Sequence, residues 1–455
     1  MTILTIAIAS LRFRREAFVA TFVNVFVGAL VLMAFASLLD TAGQSGVSAT
    51  DASTLRTIAG AVGGWGLVIV GFGVASTTSL AIRQRQAEMA LLKAIGATPG
   101  QLGRLITGEG VGVAVVAAAL AIAPAFLTGR AVLEALRHAD QVTPAVPYRF
   151  GPIALVAGLS ATLLATVGAT AIAARSAGRV SAKEALSQAA VDAGPIGKGR
   201  VITGLGLLVA GVGCAFTTAT VLKDEGFTTL SVAGQACIAC AMGLALLSPL
   251  ALRALAHLVA PMTRGSGTAY LAVSALRERT RQAATVTMPV VVLTGLAVGT
   301  FCIQQIYDDT NAAAGIAVSV EDKGVQTLNL IIIGMISLFA AVVLVNNCVA
   351  SLLARSQEFG LARKIGATPG QVLRAVAWET TFAAATGLAL GTVAAAIGIT
   401  GFVYGRTGSL RPGVDSGPYL AIVAFVLALT WIASLTAARR SLAIPMVDAT
   451  GPARE

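Results

Sequence analysis

The feature that most limits what this chain can become is a succession of apolar stretches, each long enough to cross a bilayer. A spanning helix needs about 20 mostly apolar residues. Ten windows meet that need: 17–39, 58–81, 105–128, 152–174, 201–222, 234–257, 284–304, 328–350, 376–402 and 418–438. Unpaired backbone amides are so unfavourable in hydrocarbon that only helices and closed barrels span it. Runs of this length therefore read as helices. Hydrophobic residues make up 56% of the 455 and charged residues 12%, about half the charged share of a soluble domain. A water-soluble core cannot hide that much apolar surface, which excludes a soluble enzyme, a disordered chain and a disulfide scaffold. The first window is full length and ends on Ala36, Ser37, Leu38 and Leu39, a poor cleavage site, so it reads as a span and not as a signal peptide. The expected fold is an all-α polytopic membrane protein.

Basic residues collect on the cytoplasmic side of membrane proteins. With the N-terminus inside, the inner segments hold 24 of the 32 Lys and Arg and 10 of the 21 Asp and Glu, leaving the outer segments slightly acidic. A shift of one span would scramble that asymmetry, so both termini are expected in the cytoplasm. The net charge of +11 then reflects topology and contact with anionic lipid, not nucleic acid. The outer segments 40–57, 129–151, 223–233, 305–327 and 403–417 are each too short to fold alone.

An internal repeat carries the functional information. Arg85-Gln-Ala-Glu88-Met-Ala-Leu91-Leu92-Lys-Ala-Ile95-Gly96-Ala-Thr-Pro-Gly-Gln101 returns as Arg355-Ser-Gln-Glu358-Phe-Gly-Leu361-Ala-Arg-Lys-Ile365-Gly366-Ala-Thr-Pro-Gly-Gln371, at an offset of 270. The same offset relates Arg104 to Arg374 and Glu109 to Glu379. Weaker echoes place a basic leader before each copy (Arg12, Arg14; Arg277, Arg279) and an Ala-Ala-Arg after it (Arg175; Arg439). Six predicted spans, an even number, separate equivalent points, so the two four-span units run parallel and not inverted. The layout is 4+2+4, with units at 1–190 and 263–455 joined by a linker and two spans at 191–262. Within each motif, Leu91 and Ile95 lie four apart with Leu92 beside them, and Arg85 and Glu88 lie three apart, as on an amphipathic helix. That helix stops at Gly96. Thr98 followed by Pro99 then fits an N-cap with proline at the first helical position of a new helix. The result is a stiff corner at the cytoplasmic face, suited to docking a soluble partner.

At these residues the chain resembles the FtsX-like/MacB-like permeases of ABC transporters. The shared pattern is Arg-x-x-Glu-x-x-Leu-x-x-x-Ile-Gly-Ala-Thr-x-x-Gln between the second and third helices of a four-helix unit. Val180-Ser-Ala-Lys-Glu184-Ala-Leu186 loosely matches the family's closing stretch. The 4+2+4 layout looks like the ten-span permeases of bacitracin-export-type systems. The resemblance implies a bacterial plasma-membrane permease in which one chain recruits two copies of a cytoplasmic ATPase that binds ATP and Mg. Closure of those subunits would move residues 83–101 and 353–371, and the long second and eighth spans would carry the motion outward to an amphipathic or lipid-like substrate. Arg85, Glu88, Leu91, Leu92, Ile95, Gly96, Arg355, Glu358, Leu361, Ile365 and Gly366 are then the coupling residues. Many members carry a large external domain where this chain has only residues 40–57 and 305–327.

The chain has no nucleotide site of its own. A P-loop needs G-x-x-x-x-G-K-[ST], and the nearest stretch, Gly194 to Gly199, lacks both the spacing and the hydroxyl. It is expected to be no enzyme and to hold no cofactor or metal. Glu109 and Glu379, near the inner ends of the third and ninth spans, are costly ionisable groups. Accompanied by Arg104 and Arg374, they read as polar supports for the coupling helix. Asn346 and Asn347 read as helix–helix hydrogen bonders. The five cysteines, including Cys237-Ile-Ala-Cys240, lie in apolar runs and read as small core residues. A secondary transporter is a rival reading, but it favours inverted repeats and mid-span charge. A signalling permease that moves no cargo is the other.

Overall fold

The computed structural model describes residues 15–84, 89, 91–92, 94–178, 197–223, 227–263, 273–274, 277, 280–315, 320–353, 355–409 and 416–443. The basic leaders at Arg12, Arg14 and Arg279, the stretch Val180 to Leu186 and the first half of Gly194 to Gly199 lie outside them. The described residues form helices and their connecting turns, with no strand among them. The helices are α1 (Arg15–Ala42), α2 (Ala49–Gln84), α3 (Pro99–His138), α4 (Pro152–Gly178), α5 (Lys198–Thr220), α6 (Phe227–Val259), α7 (Thr280–Ala313), α8 (Val320–Leu353), the short α9 (Ser356–Lys364), α10 (Pro369–Thr407) and α11 (Ser416–Ala443).

Nine of these helices are long and apolar enough to cross a membrane, among the described residues. The remaining window, 58–81, the second along the chain, falls in α2, where only Gly66–Thr78 counts as apolar. Hydropathy understates the lengths. At 1.5 Å per residue, the 40 residues of α3 and the 39 of α10 reach about 60 Å, roughly twice the hydrocarbon thickness. Much of what hydropathy marks as loop is therefore helix: α3 continues to His138, and α7 and α8 leave only residues 314–319 between them.

Contacts divide the chain into two units, and the division differs from that of the sequence repeat: residues 1–189 with 317–343, and residues 190–316 with 344–455. In the first unit α1 packs against α2, α3 and α4. Small side chains bring α1 and α3 together, with Ala29 and Met33 against Ala118, Ala121 and Ala125, as expected where no hydrophobic effect favours bulk between helices. Nearer the Ala42 end of α1, Phe35 and Leu38 join Leu55 of α2 and Leu133 and Leu136 of α3 in a larger apolar cluster. The N-terminal part of α8 belongs to this unit. A Cβ on Gly73 of α2 would lie 2.8 Å from the Phe339 ring and 3.1 Å from Val343, so only glycine admits α8 this closely. Val343 is the residue that the 270-residue offset assigns to Gly73.

The end of this unit farthest from the repeated motif is fastened by carboxylates. Asp40, buried in the last turn of α1, accepts hydrogen bonds from the backbone N–H groups of Gly151, Ile153 and Ala154 and so caps α4. Asp51 accepts from Ser48 and from both the hydroxyl and the backbone N–H of Thr143. Burial pushes the Asp51 carboxyl up, but the Thr143 and Ser48 hydrogen bonds outweigh it and hold it below the ordinary value of 3.8.

In the second unit the two connecting helices cover the repeat: α7 packs on α10 and α6, and α5 and α6 pack on each other and on α10. As a result 89% of α7's apolar window is buried, against 67% for its counterpart α1. Thr287 donates to the Ala383 carbonyl at 3.0 Å, and Asn347 donates to the Thr285 carbonyl at 2.8 Å, tying α7 to α10 and to the C-terminal part of α8. Cys237 and Cys240 are buried on α6, and Cys237 donates to the Ala395 carbonyl of α10.

Candidate functional site

The two copies of the motif build the same corner. The short helix ends at a glycine of positive φ, +99° at Gly96 and +102° at Gly366, a conformation that an L side chain resists. Ala97 donates to the Leu92 carbonyl at 2.9 Å and Ala367 to the Ala362 carbonyl at 3.0 Å, the six-to-one bond of a Schellman stop. Two residues on, a threonine opens the long helix. Thr98 and Thr368 accept from the backbone N–H of Gln101 and Gln371, and the glutamine amide oxygens accept from the threonine N–H groups at 2.9 Å. These are complete capping boxes with proline at the start. Helix stop, turn and helix start are thus fixed within a few residues, and fixed alike in both units.

Each corner turns two apolar side chains out and two in. Leu91 and Ile95 are 67% and 75% exposed, and Leu361 and Ile365 are 57% and 88% exposed. Inward, Met89 packs with Leu92, Leu102 and Ile106 in the first unit. Phe359 packs with Ala362, Val372, Val376 and the α11 residues Ala437 and Ala438 in the second. Leu92, expected beside Leu91 on the docking face, belongs to the anchoring side. Met89 and Phe359 are the residues that sequence reasoning missed; the signal was their three-residue spacing from Leu92 and Ala362.

Arg85 and Glu88 lie outside the described residues. Their counterparts form a network at the junction of α8, α9 and α10. Arg355 donates to Glu379 of α10 at 2.7 Å and to Glu358 in the first turn of α9 at 3.2 Å. Its guanidinium also lies over the Phe359 ring, 5.3 Å from the centroid. The side chains of Arg355 and Glu379 are only 12% and 13% exposed. Burial alone would lower the Arg355 pKa; Glu379 first and Glu358 second reverse that and raise it above the ordinary arginine value. A cavity large enough for about one water, flanked by Gln282, Ser351, Thr380 and Ser434, adjoins the pair. Glu109, the counterpart of Glu379, is buried in α3 at 3% exposure. Arg104 and Arg374 are exposed, and Glu379 is paired with Arg355. A second tie runs from Arg363, near the end of α9, to the Leu442 carbonyl in the last turn of α11 at 3.0 Å.

This geometry gives two stiff apolar knuckles, each joined by a short turn to a helix long enough to cross the membrane. No curated protein matches the chain. A family model described as FtsX-like permease C-terminal matches residues 60–182 and again residues 330–446, together more than half of the chain. The two matched stretches begin 270 residues apart, as the motifs do. The chain therefore belongs to the FtsX-like permease family, in a form that carries the matched region twice.

Proposed function

We infer that this multi-pass protein is the membrane subunit of an ABC transporter and couples ATP hydrolysis by separate cytoplasmic subunits to movement of an amphipathic or lipid-like substrate. Two copies of the ATPase subunit, which binds ATP and Mg, dock on the two corners, one on each, and one permease chain suffices for the pair. The chain itself is not the enzyme. Both termini and both corners lie on the cytoplasmic side of a bacterial plasma membrane, as the distribution of basic residues favours. The observation that carries the reading is the duplicated exposed pair, Leu91 with Ile95 and Leu361 with Ile365, held on matching capped turns. A single exposed leucine is ordinary on a protein surface; two identical pairs on rigid stops are a surface awaiting a partner.

The test is co-purification with a P-loop ATPase subunit from the source cell, followed by reconstitution of the pair in liposomes. Wild-type permease should bind that subunit and raise its ATPase rate. Reversing Glu88 and Glu358 together, or replacing Leu361 and Ile365 by Asp, should abolish the stimulation while the permease still inserts. Unchanged stimulation in both variants would refute the docking assignment.

A further inference from the structure

The covalent link between α9 and α10 is a short turn built around Gly366, a residue whose backbone is easily re-aimed. The Schellman bond and the capping box set the resting angle of this corner, and a push on Leu361 and Ile365 loads both of them in bending. What bridges the corner is side-chain chemistry. Arg355, immediately before α9, reaches past the turn to Glu379, in the third turn of α10, while holding Glu358 with its other edge. The planar fork of an arginine can serve two carboxylates at once with fixed geometry, which a lysine cannot. Phe359 of α9 lies beneath the guanidinium and packs against Val372 and Val376 of α10. Arg363, toward the other end of α9, holds the end of α11.

Resting on the docking reading above, we propose that Arg355 is a positioning residue that locks α9 to α10, while Arg363 ties on α11, so that displacement of α9 by an ATPase subunit moves α10 and α11 and does not bend the corner at Gly366. The motion is then carried by α10 and α11 in addition to α8. Arg355 need touch neither nucleotide nor substrate for this.

The experiment is a charge-swap cycle in the reconstituted complex: Arg355→Glu, Glu379→Arg, and the two together. ATPase binding, the thermal midpoint in detergent and permease-stimulated ATP hydrolysis are measured for each. Each single reversal should keep the ATPase subunit bound but lower stimulated hydrolysis about tenfold, and the swap should recover it to within about threefold. Glu379→Gln, which keeps the shape and loses the charge, serves where a reversal fails to fold and should give a loss of about threefold. Singles or Glu379→Gln with full stimulation, or a swap no better than the singles in an intact complex, would overturn the proposal. A purely structural pair would lower the thermal midpoint and stimulation together. A wild-type chain that neither binds nor stimulates the ATPase would instead refute the docking reading.

Discussion

Leu361 and Phe359 sit two residues apart on one short helix and have opposite fates, and the difference is measurable. Phe359→Ala removes a buried ring from the cluster with Val372, Val376 and Ala437, and should destabilise the unit by about 3–5 kcal/mol in detergent unfolding. Leu361→Asp with Ile365→Asp changes only exposed positions and should stay within about 0.5 kcal/mol of wild type while losing partner binding. Gly366→Ala should cost about 1–3 kcal/mol, because the backbone must hold φ +102° with a Cβ present. The outward pair and the glycine stop were legible in the sequence, since identity between the two copies marked them. The inward anchor was not, because methionine stands at position 89 and phenylalanine at 359, and a search for identities passes over both. Arg355 and Glu379 are 24 residues apart, and only the packing of α9 on α10 reveals that they pair.

The starts of α3 and α10 followed from local chemistry, whereas their far ends did not. Thr-Pro at 98 and 368 announced both capping boxes, yet the apolar windows stop at 128 and 402 while α3 and α10 run to 138 and 407. Hydropathy reports the solvent around a helix and says nothing of whether its backbone continues into water. In that continuation of α3, Glu134 and Arg137 pair three residues apart, as a solvated helix favours. Asp40 was hidden for a related reason. A carboxylate in the last turn of α1 opposes that helix's own dipole, and it makes sense only once α4 brings its N-terminus alongside. Asp40→Ala would strand three backbone donors and should lower stability by about 1–3 kcal/mol, read as a fall in the thermal midpoint. Asp51 adds a pH dependence of known sign. Its folded pKa is depressed, so its contribution is fully present above 3.8 and is lost as acid carries the pH down through the lower folded value. Asp51→Asn should flatten that part of the stability profile below pH 3.8 and leave the neutral-to-basic part parallel to wild type.

At the level of the whole chain, the all-α membrane fold and the duplicated motif could be read directly, because both rest on patterns tens of residues long. The partition of contacts could not: α5 and α6 read as neutral connectors, yet they pack on α7 and α10, and α8 gives its first part to one unit and its last part to the other. A parallel repeat makes one global prediction. Cysteines introduced at the exposed positions Gln101 and Gln371 should be labelled from the same side of the membrane, and from the cytoplasmic side in inverted vesicles; labelling from opposite sides would contradict the parallel arrangement. Gly73 facing Val343 carries a different kind of consequence. Positions matched by the duplication come together there, and the glycine leaves room for the Phe339 ring first and for Val343 beside it. A homodimer of separate polypeptides could never hold that bargain, since a single codon would have to specify glycine and valine at once. Carrying both copies in one chain is what lets the matched positions differ where they come together.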